Sequence, residues 1–214
     1  MAKTINKIVK TLITSDFYLN LGWGFLSPLF AIFILERISS NNPTEAVKIA
    51  GLAALFYWIP KSLFQIPIGI YLDKNHGEKD DFWFMVFGTF IAGLIPIGYL
   101  VSNAPWQIYL LQTLYAAGMA MAIPSWLAIF TRHVDDGKEA FEWGMESTSI
   151  GIGAGVAGGL SGILVAFFGF TTLFICVSTF TMLAVITLLS VRKSIFYKSR
   201  RSGSFSGTKM VVEP

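Results

Sequence analysis

The 214 residues hold one cysteine, two histidines and few charges, only 14% being Asp, Glu, Lys or Arg. Each shortage excludes something. A lone Cys176 leaves no internal disulfide and is expected to pack as a small apolar residue. His76 and His133 are single, with no partner at metal-ligand spacing, so no metal site is expected. No phosphate loop ending in Lys-Ser/Thr, nucleophile elbow or paired-cysteine motif occurs, so neither an enzyme nor a bound cofactor is expected. So few charges, with a mean hydropathy of +0.61, do not suit a water-soluble domain of this size.

What the chain has instead is long apolar runs. A membrane span needs about 20 mostly apolar residues. Six candidates, roughly 13–36, 49–72, 82–102, 106–131, 144–168 and 170–191, consume most of the sequence. The expected fold is an all-α membrane protein: a six-helix transmembrane domain over 1–197, then a flexible, basic, Ser/Gly-rich cytoplasmic tail over 198–214. The first run is too long for a signal peptide and no small-residue cleavage site follows it, so it is read as retained. Little more than Phe168-Gly169-Phe170 joins the last two runs, which predicts a close helical hairpin.

Positive charge gives the orientation. With the N-terminus cytoplasmic, the inner segments hold thirteen Lys and Arg (Lys3, Lys7 and Lys10, Lys74 and Lys79, Arg132 and Lys138, and six from Arg192 onward), while the outer segments hold only Arg37 and Lys48. This asymmetry puts both termini in the cytoplasm of a multi-pass protein of the plasma (inner) membrane. The net charge of +3 then needs no nucleic-acid partner, because juxtamembrane basic residues also meet anionic lipid.

Polar residues inside the runs are the candidate functional groups. Lys61 lies twelve residues before Asp73, roughly 18 Å from the inner interface. Leaving it in lipid costs about 3 kcal/mol or more, so it must face protein or a water-filled cavity. Tyr57, Lys61 and Gln65 follow at four-residue spacing on one helical face, near Pro60 and Pro67, whose rings free backbone carbonyls. An anion-binding or coupling charge is one reading; a lysine that merely neutralises a local carboxylate or those carbonyls is the other. Asp16, Asn20, Trp23 and Ser27 form a polar stripe on the first span, although Ser15-Asp16 also suits an interfacial cap. Gln112, Tyr115, Met119 and Trp126 form a similar stripe on the fourth. Gly151, Gly155 and Gly159 recur every fourth residue, a spacing that lets helix backbones approach closely, here as a packing face within a dimer interface. Pro28-Leu-Phe-Ala-Ile-Phe33 faintly echoes Pro124-Ser-Trp-Leu-Ala-Ile-Phe130, as a three-plus-three inverted repeat would.

The loop after the second run carries a resemblance. Gly69, Asp73, Lys74, Gly77 and Lys79 resemble the G-x-x-x-D-R/K-x-G-R/K-R/K signature between helices 2 and 3 of the major facilitator superfamily, with one extra residue before Gly77 and Glu78 where a base is usual. Met121-Ala-Ile-Pro124, Gly137-Lys-Glu-Ala140-Phe-Glu-Trp-Gly144 and Phe170-Thr-Thr-Leu-Phe174 extend the likeness over nearly the whole chain, as one six-helix half of the usual twelve. Gln112 stands about where the family's fourth-helix Arg is usual, and the Pro of its glycine-rich fifth-helix motif is absent. The resemblance implies that the first and fourth helices line the path. It also implies that Asp73, with Arg132 as cationic neighbour, works as a gate against the start of the fifth helix in the opposite half. The expected function is secondary active transport of a small molecule, anionic or amphipathic, by alternating access. The expected assembly is a homodimer whose span 2 meets span 5 of the partner. The alternatives are a non-transporting binding or assembly platform, which Glu78 and Gln112 favour, and a subunit that pairs with a different half.

Overall fold

The computed structural model describes residues 5–75 and 77–196, so His76 and the tail over 198–214 lie outside the described residues. Helix follows helix: α1 (Lys7–Leu26), a 3₁₀ turn (Ser27–Leu29), α2 (Phe30–Arg37), α3 (Pro43–Asn75), α4 (Glu78–Val101), α5 (Pro105–His133) and α6 (Glu139–Ser190), with no strand among the described residues. Five helical stretches are long and apolar enough to cross a membrane. In hydrocarbon every backbone N–H and C=O must be satisfied within the chain, which helices alone do segment by segment.

Local sequence sets the breaks. Asn6 caps α1, its side chain accepting from Ile8 N (3.0 Å), while its amide donates to His133 O (3.1 Å) and ties the start of α1 to the end of α5. Pro28 opens the 3₁₀ turn that separates α1 from α2, whereas Pro124 sits inside the unbroken α5, so the two echoed segments differ in backbone course. Pro60 in α3 cannot bond the Phe56 carbonyl, which lies 3.4 Å from Thr113 Oγ on α5; that hydroxyl also bonds Tyr109 O at 2.9 Å. Ser178 Oγ donates to Gly93 O (2.7 Å) in the turn that Pro96 loosens.

The 52-residue α6 is helical on both sides of Gly169, which takes φ 74° and ψ 174°, a conformation that only glycine adopts without strain. Its two arms, 139–168 and 170–190, lie side by side. A Cβ on Gly24 would meet Ala154 Cα at 2.8 Å, and one on Gly22 would meet Val177 O at 3.0 Å. In a straight helix Ala154 and Val177 would stand about 35 Å apart, so both can reach adjacent turns of α1 only if the chain doubles back. This is the hairpin expected around Phe168-Gly169-Phe170.

Two packed clusters hold the bundle. At the end carrying Gly169, Phe33, Tyr99 and Phe174 interlock, with Phe33 edge-on to Phe174 at 4.8 Å. At the end carrying Asn6, Leu12, Phe82, Met85, Phe130 and Leu188 pack together. Because lipid is as apolar as these side chains, close packing rather than release of water distinguishes the folded bundle here. Between the clusters the bundle is hollow.

Candidate functional site

The hollow is a cavity of about 270 Å³, open on one side and lined by α1, α4, α5 and both arms of α6. Most of its wall is apolar: Leu19, Met85, Met119, Ile123, Ile150 and Leu188. Into it project Asp16 and Asn20 from α1 and Glu146 from the first arm of α6, with the indoles of Trp126 and Trp143 alongside. Asp16 is nine residues into α1 and Glu146 seven into α6, roughly 10–14 Å from either helix start, so neither carboxyl is a surface cap.

The two carboxyls line the same cavity, and the negative charge of each bears on the other. Carboxylates only accept hydrogen bonds, so neither can satisfy the other, and a donor of positive charge placed between them relieves their like-charge repulsion. Asn20 lies beside Asp16, its amide donating to Asp16 O at 2.9 Å. The indole N–H of Trp126 is buried with no hydrogen-bond partner, a state that costs about 1–3 kcal/mol for a buried donor. The indoles stand 6.2 Å apart, edge to face, and Phe130 packs against both at 4.6 Å.

One level toward the Gly169 end, aromatic rings link three helices. Trp23 of α1 stacks on Tyr115 of α5 (4.0 Å, 18°), and Tyr57 of α3 stacks on the same Tyr115 (4.9 Å, 21°). Lys61 continues this ladder on α3, its ammonium 4.7 Å from the Trp58 ring centre and 5.6 Å from that of Tyr57. Cation–π contacts of this kind hold a lysine without neutralising it, and among the described residues Lys61 has no ion-pair partner. Gln65, Gly69 and Asp73 lie further along α3 and line an open groove against Pro124 and Leu127 of α5. Lys61 and the Asp16–Glu146 pair therefore belong to different places.

The polar stripes divide in the same way. On α1, Asp16 and Asn20 line the cavity, Trp23 joins the ladder and Ser27 is exposed at the helix break. On α5, Met119 and Trp126 line the cavity, Tyr115 joins the ladder and Gln112 is buried in the helix packing.

At the Asn6 end the charges pair differently from the sequence expectation. Arg132 forms its ion pair with Asp81 on α4, and Asp73 adds its negative charge beside that pair. Asp81 is 1% exposed, and one of its oxygens has no partner. His133 stands 3.7 Å from Glu78, and the buried Glu142 accepts from Asp135 N at 3.2 Å. Gly77 begins α4 in extended conformation, and Lys74 is exposed at the end of α3. Sequence reasoning gave Asp81 no role and treated Glu142 to Glu146 only as the start of the fifth helix. Glu146 carried a signal, since it falls inside the predicted span 144–168, although only two residues from its start, where a carboxylate costs far less than Lys61 does at depth.

Gly151, Gly155 and Gly159 point away from the bundle, and a Cβ on any of them meets nothing within 4 Å. The small residues that pack inward are their neighbours: Gly153 lies against Phe17, while Ala154 and Ala157 lie against Gly24. The first arm of α6 thus has two small-residue faces, one used against α1 and one left open.

Curated proteins yield no match to the chain. The sequence model of the Major Facilitator Superfamily, by contrast, aligns with residues 12–211 and so takes in every element that lines the cavity, the aromatic ladder and the charged loops. On that match and this helical architecture, the chain belongs to the major facilitator superfamily, a family of membrane transporters.

Proposed function

We propose that this protein is a secondary active transporter that works by alternating access as a twofold pair of six-helix bundles, each copy supplying one wall of the path. The two arms of α6 count as separate crossings, which gives six spans with both termini cytoplasmic by the positive-inside rule. The plasma (inner) membrane is the proposed location. The cavity beside Asp16 and Glu146 forms the substrate chamber, and the charged cluster of Asp73, Asp81 and Arg132 forms the gate at its cytoplasmic end.

The observation that carries the pairing is Lys61. It sits deep in α3, a helix largely exposed on the outer side of the bundle, and has no ion-pair partner among the described residues. Facing lipid, it would cost about 3 kcal/mol or more. Facing a second bundle across a hydrated path, it would not. The open Gly151–Gly155–Gly159 face lies on the helix expected to meet α3 of the partner, which supports the same arrangement.

The test is native mass in lipid nanodiscs together with flux into proteoliposomes for a panel of small organic ions. Two copies per particle are expected, with flux that Lys61→Met abolishes while the pair stays intact. A single copy at every concentration and lipid composition, without flux, overturns the proposal. Loss of folding in Lys61→Met would assign the lysine a purely structural role.

A further inference from the structure

The geometry points to a small organic cation, a protonated amine on an apolar or aromatic body, as the ligand of the Asp16–Glu146 cavity. This rests on the transporter reading of the same cavity and adds the chemical class of what enters it.

Charge comes first. The cavity brings two carboxyls together and holds no basic side chain: Lys61 lies on α3 and lines no part of it, and Arg132 is engaged by Asp81. A positive group between Asp16 and Glu146 would offset the negative charge that two carboxyls place in one cavity and would donate hydrogen bonds to both.

Shape comes second. About 270 Å³ is far more than a proton or a bare ion occupies, and a dry apolar cavity of about 150 Å³ is enough for benzene. No group of three or more His, Cys, Asp or Glu suited to a metal occurs among the described residues, and apart from Ser15, Asn20 and Thr89, whose side chains donate to backbone carbonyls, the remaining walls are aliphatic and aromatic. Such walls solvate a hydrocarbon body, not a hydrated ion. The indoles of Trp126 and Trp143 add ring surfaces favourable to an ammonium group. An anion would meet two carboxyls with nothing to compensate it.

Three probes of one size separate charge from shape: benzylammonium, benzyl alcohol and benzoate, titrated into the purified full chain. Binding is read by tryptophan fluorescence and independently by thermal midpoint. Benzylammonium is expected to bind about tenfold or more tighter than benzyl alcohol, the effect of one charge-assisted hydrogen bond, and benzoate weakest. Asp16→Asn and Glu146→Gln are each expected to abolish that preference while leaving benzyl alcohol binding in place, which also shows that the variants are folded. Equal binding of all three probes by the unaltered protein would reduce the site to an apolar hole and overturn the assignment. So would a preference for benzoate, or a cation preference that both variants keep. The comparison on the unaltered protein stands even if a variant fails to fold. It uses no flux, so its failure leaves the pairing and transport results untouched.

Discussion

Gly88 on α4 and Gly118 on α5 face each other backbone to backbone: a Cβ on Gly118 would lie 2.8 Å from Gly88 O, and one on Gly88 would lie 2.7 Å from Ala122 N. Neither neighbour is a flexible side-chain tip, so the helices themselves must separate to admit a methyl group. Gly88→Ala is expected to destabilise the bundle by about 1–3 kcal/mol, the usual cost of overpacking. Gly51→Ala, whose Cβ meets nothing within 4 Å, serves as the control and is expected to leave the thermal midpoint unchanged or slightly raised. Equal midpoints for the two variants would remove the close approach from the account of α4–α5 packing.

Arg132 and Asp81 predict an asymmetric pair of substitutions. Removing Arg132 leaves a carboxylate that is 1% exposed without its cation and beside the charge of Asp73. A fully buried pair broken in this way loses about 3–5 kcal/mol; here less is expected, because Arg132 keeps 36% of its side chain exposed. Arg132→Met should therefore cost more than Asp81→Asn, and the double variant should be more stable than Arg132→Met alone. A double-mutant cycle on chemical denaturation checks this, and strict additivity would show that the two do not interact.

The architecture was legible because it rests on averages over long windows. Hydropathy located the apolar runs, and Phe168-Gly169-Phe170 located the doubling of α6. The site was legible only where periodicity on one helix was enough. Asp16 with Asn20, Met119 with Trp126, and Tyr57 with Lys61 each share a face by spacing, and each face proved to line a cavity or an aromatic ladder. Pairings between helices were not legible. Arg132 stands 51 residues from Asp81, and which of several nearby acids it meets depends on rotation of α4 against α5. Asp16 and Glu146 are further apart still, joined by the closeness of α1 and α6 that Gly24, Ala154 and Ala157 permit. The glycines of α6 show the same limit: fourfold spacing marks a packing face, but the sequence does not say that Gly153 packs within the bundle while Gly155 does not.

Gly169 tests backbone conformation apart from crowding. A Cβ there meets nothing within 4 Å, yet φ 74° with ψ 174° lies in a region essentially confined to glycine. Gly169→Ala is expected to cost about 1–3 kcal/mol and to loosen the second arm, read as faster hydrogen exchange around Phe170 and Phe174. An unchanged exchange pattern would mean that the hairpin holds its geometry without this residue.

Gly155 and Gly153 are two residues apart on one helix and predict opposite phenotypes. A Cβ on Gly153 would press on Phe17 at 3.2 Å, whereas one on Gly155 meets open space. Gly153→Leu should therefore damage the bundle itself, lowering its thermal midpoint in any assembly state. Gly155→Leu should leave the bundle folded and instead keep a partner helix from approaching, weakening self-association by about tenfold or more, or about 1.4 kcal/mol. Dilution of donor- and acceptor-labelled copies in liposomes, with the resonance energy transfer followed against lipid-to-protein ratio, separates the two effects. If Gly155→Leu associates as tightly as the unaltered chain, the open glycine face is turned to lipid, and the proposed twofold contact would have to run through α3 alone.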